Sequence, residues 1–185
     1  MDYVTREQEK RLFEAFNSSM ITGILGPRRV GKSTLIDHYC AQHPEITLVR
    51  FNMDKMTERE QIQTGFLEDM ILTKIKRHFI PHQRIWVTID EAQKCPEIFE
   101  QIKVLYDSYK DKDAVKFILT GSALLELHRL SAESLAGRIN LYYLSSFNLK
   151  ESVQLKHHVT IPGSCFALIQ GGEINESAWQ RYGNH

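Results

Sequence analysis

The chain has 185 residues, 42% hydrophobic and 25% charged, a makeup that suits one folded domain with a short appendage and excludes a mainly disordered chain. Lys+Arg and Asp+Glu both number 23, giving a formal net charge of zero; the basic excess that marks many nucleic-acid binders is missing, although zero net charge does not exclude a local basic patch. Cys40, Cys95 and Cys165 form no C-x-x-C pair, the first residues are charged, and no run approaches the roughly 20 apolar residues of a membrane helix, so the expectation is a cytoplasmic protein with no membrane partner.

In chain order, Thr5-x-x-Gln8 reads as a capping box opening a helix that buries Leu12, Phe13 and Phe16 and ends at Asn17-Ser18-Ser19. Met20 to Leu25 is a short apolar strand. A helix from Lys32 to Ala41 stops before Pro44. Glu45 to Phe51 is a second strand. Thr57 and Glu60 suggest another capping box, followed by one long helix carrying Ile62, Phe66, Met70, Ile71, Ile75 and Phe79 up to Pro81. Ile85 to Ile89 is a third strand, ending on Asp90-Glu91. Pro96 opens a helix through Phe99, Ile102, Leu105 and Tyr106. Val115 to Leu119 is a fourth strand, a helix follows from Ala123 to Leu135, and Arg138 to Leu144 is a fifth strand. Strands alternating with helices imply an α/β fold with a parallel sheet covered on both faces. Residues 151–185, with His157-His158, Pro162-Gly163 and Gly171-Gly172, show no sustained period, so the division is a domain over 1–150 and an unassigned C-terminal segment over 151–185.

Chemistry concentrates at the strand ends. Gly26-Pro27-Arg28-Arg29-Val30-Gly31-Lys32-Ser33 matches G-x-x-x-x-G-K-[ST] without a mismatch, a pattern that arises by chance in about one chain of this length in a hundred. Its glycines let backbone N–H groups approach phosphate oxygens, and the following helix presents its positive N-terminus to the same anion. Lys32 is placed to reach the β- and γ-phosphates, and Ser33 to ligate Mg²⁺. The third strand delivers two carboxylates: Asp90 as a Mg²⁺ ligand and Glu91 to polarise an attacking water. After the fourth strand, Thr120 or Ser122 can bond that water or the γ-phosphate, or simply cap a helix. Arg138 follows Gly137 at a helix-to-strand junction, as an arginine finger acting in trans or as a surface arginine. Arg28 and Arg29 can meet nucleotide, a neighbouring subunit or nucleic acid, or face solvent. His78 and His82 are interrupted by Pro81, and His157-His158 has no partner at ligand spacing, which argues against a structural metal.

GPRRVGKST, VTIDEAQKCP, FILTGSA and SLAGRI, in that order, resemble the prokaryotic AAA+-like ATPases whose core precedes a domain of unknown function. The resemblance covers about residues 1–150. It implies a P-loop NTPase core, three-layer αβα, with a five-stranded parallel sheet ordered 5-1-4-3-2. It implies Walker A from Gly26 through Ser33 with Thr34 adjoining, Walker B at Asp90 and Glu91, a sensor at Ser122 or Thr120, and a finger at Arg138. Leu144 to Leu149 is similar to the stretch leading into the family's C-terminal half, which this sequence does not match, so that half is expected to be absent, replaced or cut away.

The leading expectation is ATP hydrolysis with Mg²⁺, alone or in a homo-oligomer or with another protein partner. The alternative is a nucleotide-binding regulatory module without efficient turnover. A small-molecule kinase fits less well, because no arginine-rich lid segment follows. A GTPase fits least: Asp90 is followed by Glu-Ala-Gln rather than D-x-x-G, and N-K-x-D is missing from the sequence.

Overall fold

The computed structural model describes residues 3–148, 151–152, 169–170 and 173–174. The chain divides into two compact units, Glu7–Ser146 and Met1–Arg6 with Phe147–His185. His157, His158, Cys165, Trp179 and the Pro162-Gly163 and Gly171-Gly172 pairs lie outside the described residues.

In the larger unit the elements run α1 (Glu9–Asn17), β1 (Ile21–Leu25), α2 (Lys32–Gln42), β2 (Thr47–Asn52), α3 (Met56–Thr64), α4 (Leu67–Ile75), β3 (Ile85–Asp90), α5 (Glu97–Tyr109), β4 (Val115–Gly121), α6 (Leu124–Ser134) and β5 (Ile139–Tyr143). The five strands form one sheet in the order β2-β3-β4-β1-β5, with every pairing parallel. That is the expected order, 5-1-4-3-2, read from the other edge.

Successive strand residues face opposite sides, and each side has its own core. Ile85, Val87 and Ile89 of β3, with Phe117 and Leu119 of β4, pack against Ile62, Ile71, Ile98, Phe99, Ile102 and Leu127 of α3 to α6. On the other face an aromatic group forms from α1, α2 and β3: Phe16 meets the Trp86 ring edge-on at 5.5 Å, and Tyr39 stacks on Trp86 at 5.1 Å.

Three local expectations are overturned. Gln8 is the residue before α1 but makes no side-chain cap bond. Residues 6 to 8 are Arg, Glu and Gln, so an earlier turn would bury no apolar side chain, and the Gln8 Oε1 instead accepts from Ser145 N–H at 3.4 Å. The second box is displaced as well. α3 starts at Met56, and Glu58 rather than Glu60 reaches back, accepting from Asn52 N–H at 2.7 Å and from Lys55 Nζ at 3.0 Å.

The single long helix is in fact two, broken at Gly65-Phe66. Gln101 of α5 satisfies the break: its Nε2 donates to the carbonyls of Ile62 at 2.9 Å and Gly65 at 3.3 Å, and its Oε1 accepts from Leu67 N–H at 2.6 Å. α4 then stops at Ile75, where Lys76 takes a left-handed conformation with φ 55°, so Phe79 is not helical. Phe66, which shares the helical spacing, is 72% exposed.

In the smaller unit, Asn148 and Glu151 cap each other: Asn148 N–H donates to Glu151 Oε2 at 3.0 Å, and Glu151 N–H to Asn148 Oδ1 at 2.9 Å. Arg6 pairs with Glu151 at 3.3 Å and lies over the Phe147 ring at 4.4 Å. Ile169–Gln170 and Glu173–Ile174 form a two-stranded antiparallel pair, β6 and β7.

Lys116 of β4 is a buried cation, 1% exposed. Its Nζ donates to the carbonyls of Ala15 at 2.8 Å and Ser18 at 3.0 Å, and to that of Met20, so it gathers the chain between α1 and β1 onto the sheet. Burial, with help from Arg84 and against Asp113, pushes its pKa down to about 7. The unfolded chain therefore binds the proton more tightly than the folded one. The penalty is complete below pH 7 and is relieved as pH rises from 7 towards the unfolded pKa near 10.5. Stability should rise between pH 7 and pH 9. Lys116→Met removes that rise and takes the lysine's donors away from the Ser18 and Met20 carbonyls, a loss of about 1–3 kcal/mol at pH 9 that narrows as pH falls. Urea unfolding of both proteins at several pH values measures this.

Candidate nucleotide site

Loop 26–31 joins β1 to α2 at the carboxyl end of the sheet, where β3 and β4 also end. The loop is held by backbone bonds: Gly26 N–H donates to the Gly121 carbonyl at 3.3 Å, and Leu144 N–H to the Leu25 carbonyl at 2.7 Å. Gly26 has φ 156°, and a Cβ there would sit 2.2 Å from the Leu144 oxygen. Gly31, the cap of α2, has φ 94°, a left-handed conformation that glycine adopts without strain. Arg29 adopts φ 63° between them. Val30 is buried, whereas Pro27, Arg28, Arg29, Ser33 and Thr34 are exposed.

Lys32 is buried, and its Nζ donates to the Gly26 and Pro27 carbonyls, each at 2.9 Å. Burial lowers its pKa; Glu91 and Asp90 act in the opposite sense, and Arg28 adds to the lowering. The lysine therefore feels both carboxylates.

Those carboxylates have separate partners. Asp90, the last residue of β3, accepts from the Thr120 hydroxyl. Glu91 leaves the strand in a left-handed conformation, φ 52°, and is buried. Its Oε2 accepts from Ser122 Oγ at 2.7 Å, from Gln93 Nε2 at 2.6 Å and from Ser122 N–H at 3.4 Å. Burial alone would raise its pKa, but the bonds from Ser122 and Gln93 and the Lys32 charge outweigh it, and the net shift is downward. Glu91 is thus ionised at neutral pH.

Ser33, Asp90 and Thr120 line one cavity of about 260 Å³, with Thr88, Asn52 and Lys55. The structure therefore gathers the loop residues, Lys32, Asp90, Glu91 and Ser122 at one end of the sheet. It does not bring Arg138 to them. Arg138 precedes β5, which begins level with the start of β1, so roughly 16 Å of strand separates it from the loop. Its guanidinium holds Asp107, Nε to Oδ1 at 2.9 Å and an Nη to Oδ2 at 2.8 Å. Two contacts are absent from the sequence reading: Thr120 on Asp90 specifically, and Gln93 on Glu91. Gln93 lies within VTIDEAQKCP, but no spacing rule says that its side chain turns back two residues.

Residues 18–153 match the model of a family described as AAA domain. Uncharacterized proteins of Mycobacterium bovis and Mycobacterium tuberculosis are each 30% identical to this chain over 146 residues, 79% of this chain and 30% of the relative. The chain thus spans under a third of the length of the curated relatives it matches. The Aeropyrum pernix ORC2 protein, solved in ADPNP-ADP complexes, superposes with TM-score 0.51 and 15% identity over 85% of this chain and 53% of that one, a likeness of fold. Among the described residues, no helix is long and apolar enough to cross a membrane. The chain belongs to the AAA domain family, and its larger unit is a P-loop nucleotide-binding module of the AAA ATPase type.

Proposed function

We propose that the chain hydrolyses ATP with Mg²⁺ in the site between loop 26–31 and the ends of β3 and β4. The observation that supports this most directly is the pairing of a buried Lys32 with two carboxylates of different environment, Asp90 and Glu91, at one end of a parallel sheet. In that site the N–H groups from Arg28 to Thr34 cradle the β- and γ-phosphates, and Lys32 exchanges its two carbonyl partners for phosphate oxygens. Ser33 and Asp90 supply hard oxygen donors, the set that suits Mg²⁺. Bound there, Mg²⁺ neutralises charge on the phosphates. Asp90 is kept in place by Thr120. Glu91, ionised and held by Ser122, orients a water in line with the γ-phosphate and polarises it. Catalysis of this kind is mostly positioning and electrostatics.

Arg138 contributes only from a second copy of the chain, since in its own chain it lies beyond the opposite end of the strands and grips Asp107. That observation favours a second reading: nucleotide binding without efficient turnover when the chain is alone. Residues 1–150 form the ATPase core in this proposal, and 151–185 a separate segment. The cysteines, without a pairing pattern, fit a cytoplasmic setting.

Lys32→Ala should weaken ATP binding by about a hundredfold or more, because a buried charge contact to phosphate is lost; calorimetry measures it, and unchanged affinity removes the site. Glu91→Gln should bind ATP as the parent does and release phosphate about 10²-fold more slowly or less, in a steady-state assay. Specific activity that rises with protein concentration, and that Arg138→Ala abolishes, would support action in trans; flat activity and an inert Arg138→Ala would leave the arginine with Asp107.

A further inference from the structure

Among the described residues, every hydrogen bond that reaches the Glu91 carboxylate falls on one oxygen. Ser122 Oγ and N–H approach Oε2 from the end of β4, at 2.7 and 3.4 Å, and Gln93 Nε2 approaches it at 2.6 Å from the short turn Ala92–Lys94. Gln93 is 8% exposed. The amide turns its NH₂ group to that oxygen, the nitrogen being its only donor. That choice turns Gln93 Oε1 to a buried position with no partner among the described residues. Buried carbonyl oxygens are rarely left so. Packing enforces the arrangement, because the side chain lies against Gly121, where a Cβ would come within 2.6 Å of Gln93 Oε1 and 2.8 Å of Leu127 Cδ2. The bare end of β4 makes room for an amide aimed at Glu91.

A single hydroxyl donor leaves a carboxylate free to turn about its terminal torsion, which is broad for glutamate. A second donor on the same oxygen fixes that torsion. We infer that Gln93 is a positioning residue for Glu91: together with Ser122 it pins Oε2, so that Oε1 is the oxygen left to hold the water. The inference rests on the ATPase reading given above, and it adds a residue that makes no contact with nucleotide itself.

The test is phosphate release by the parent, Gln93→Met, Glu91→Gln and the double variant, with melting temperatures for each. Methionine keeps the length of the side chain and removes the donor. Expected is a fall in kcat of about tenfold with KM for ATP changed by less than about twofold. In the Glu91→Gln background Gln93→Met should cost nothing further, the mark of a residue acting through another. Gln93→Asn, which keeps the amide one methylene too short, should give the same split; it serves in place of Gln93→Met if that protein does not fold. An unchanged kcat in these variants, or the same fractional loss with and without Glu91, overturns the role of Gln93 and leaves the ATPase reading standing. A parent with no phosphate release that depends on Glu91 overturns both.

Discussion

The bond from Gly26 N–H to the Gly121 carbonyl ties the start of the loop to the end of β4, and the rest of the site depends on it. It extends the parallel ladder of β1 and β4 one residue past the strand, so that the loop begins level with Ser122. It also requires that position 26 carry no side chain, because the Leu144 oxygen occupies the place of a Cβ. A larger residue there would push the loop from β5 and β4 together, and Lys32 would lose its position opposite the carboxylates. The backbone thus sets the distance between cation and anions before any nucleotide arrives.

Buried charge is organised differently at the two ends of the sheet. At the carboxyl end, Lys32 and Glu91 are both buried and partly offset each other, each moving the other's titration towards the charged form. At the amino end, Lys116 has carbonyl oxygens as its bonded partners, and burial takes its pKa down to about 7. The first arrangement suits an incoming polyphosphate, since Lys32 can trade its carbonyl partners for phosphate oxygens. The second suits a fixed strap between α1 and the sheet, where nothing is exchanged.

The identity of the loop was legible because the chemistry restricts residue types at fixed spacing: glycines where the backbone turns, lysine and serine at the start of α2, an acidic pair after an apolar strand; the strand order came only with the family resemblance that those motifs carry. What was illegible depends on residues remote in sequence. The break between α3 and α4 is stabilised by Gln101, 34 to 39 residues away, and without it Gly65 reads as a tolerated glycine inside one amphipathic helix. Phe66 fits the helical period by coincidence and faces solvent. Both capping boxes failed for a common reason: a cap depends on where the buried stripe begins, and Thr5 and Thr57 stand at the wrong offset from it. Gln93 was hidden because its importance lies in a turn-back contact that no periodicity encodes.

Asp90 and Glu91 are adjacent in sequence yet serve different surroundings, and the backbone conformation at Glu91 is the reason. Asp90 still belongs to β3 and points, like Thr88, to the face that carries α2 and the cavity with Ser33. One more extended residue would have sent Glu91 to the opposite face, into the packed side of α5 and α6. The left-handed turn instead swings it along the end of β4 to Ser122, while the chain closes into the turn that carries Gln93. A non-glycine residue in that conformation carries a strain of about 1–3 kcal/mol, and the three donors on Oε2 offset it. The same turn therefore gives two adjacent carboxylates different surroundings and locks the second in place.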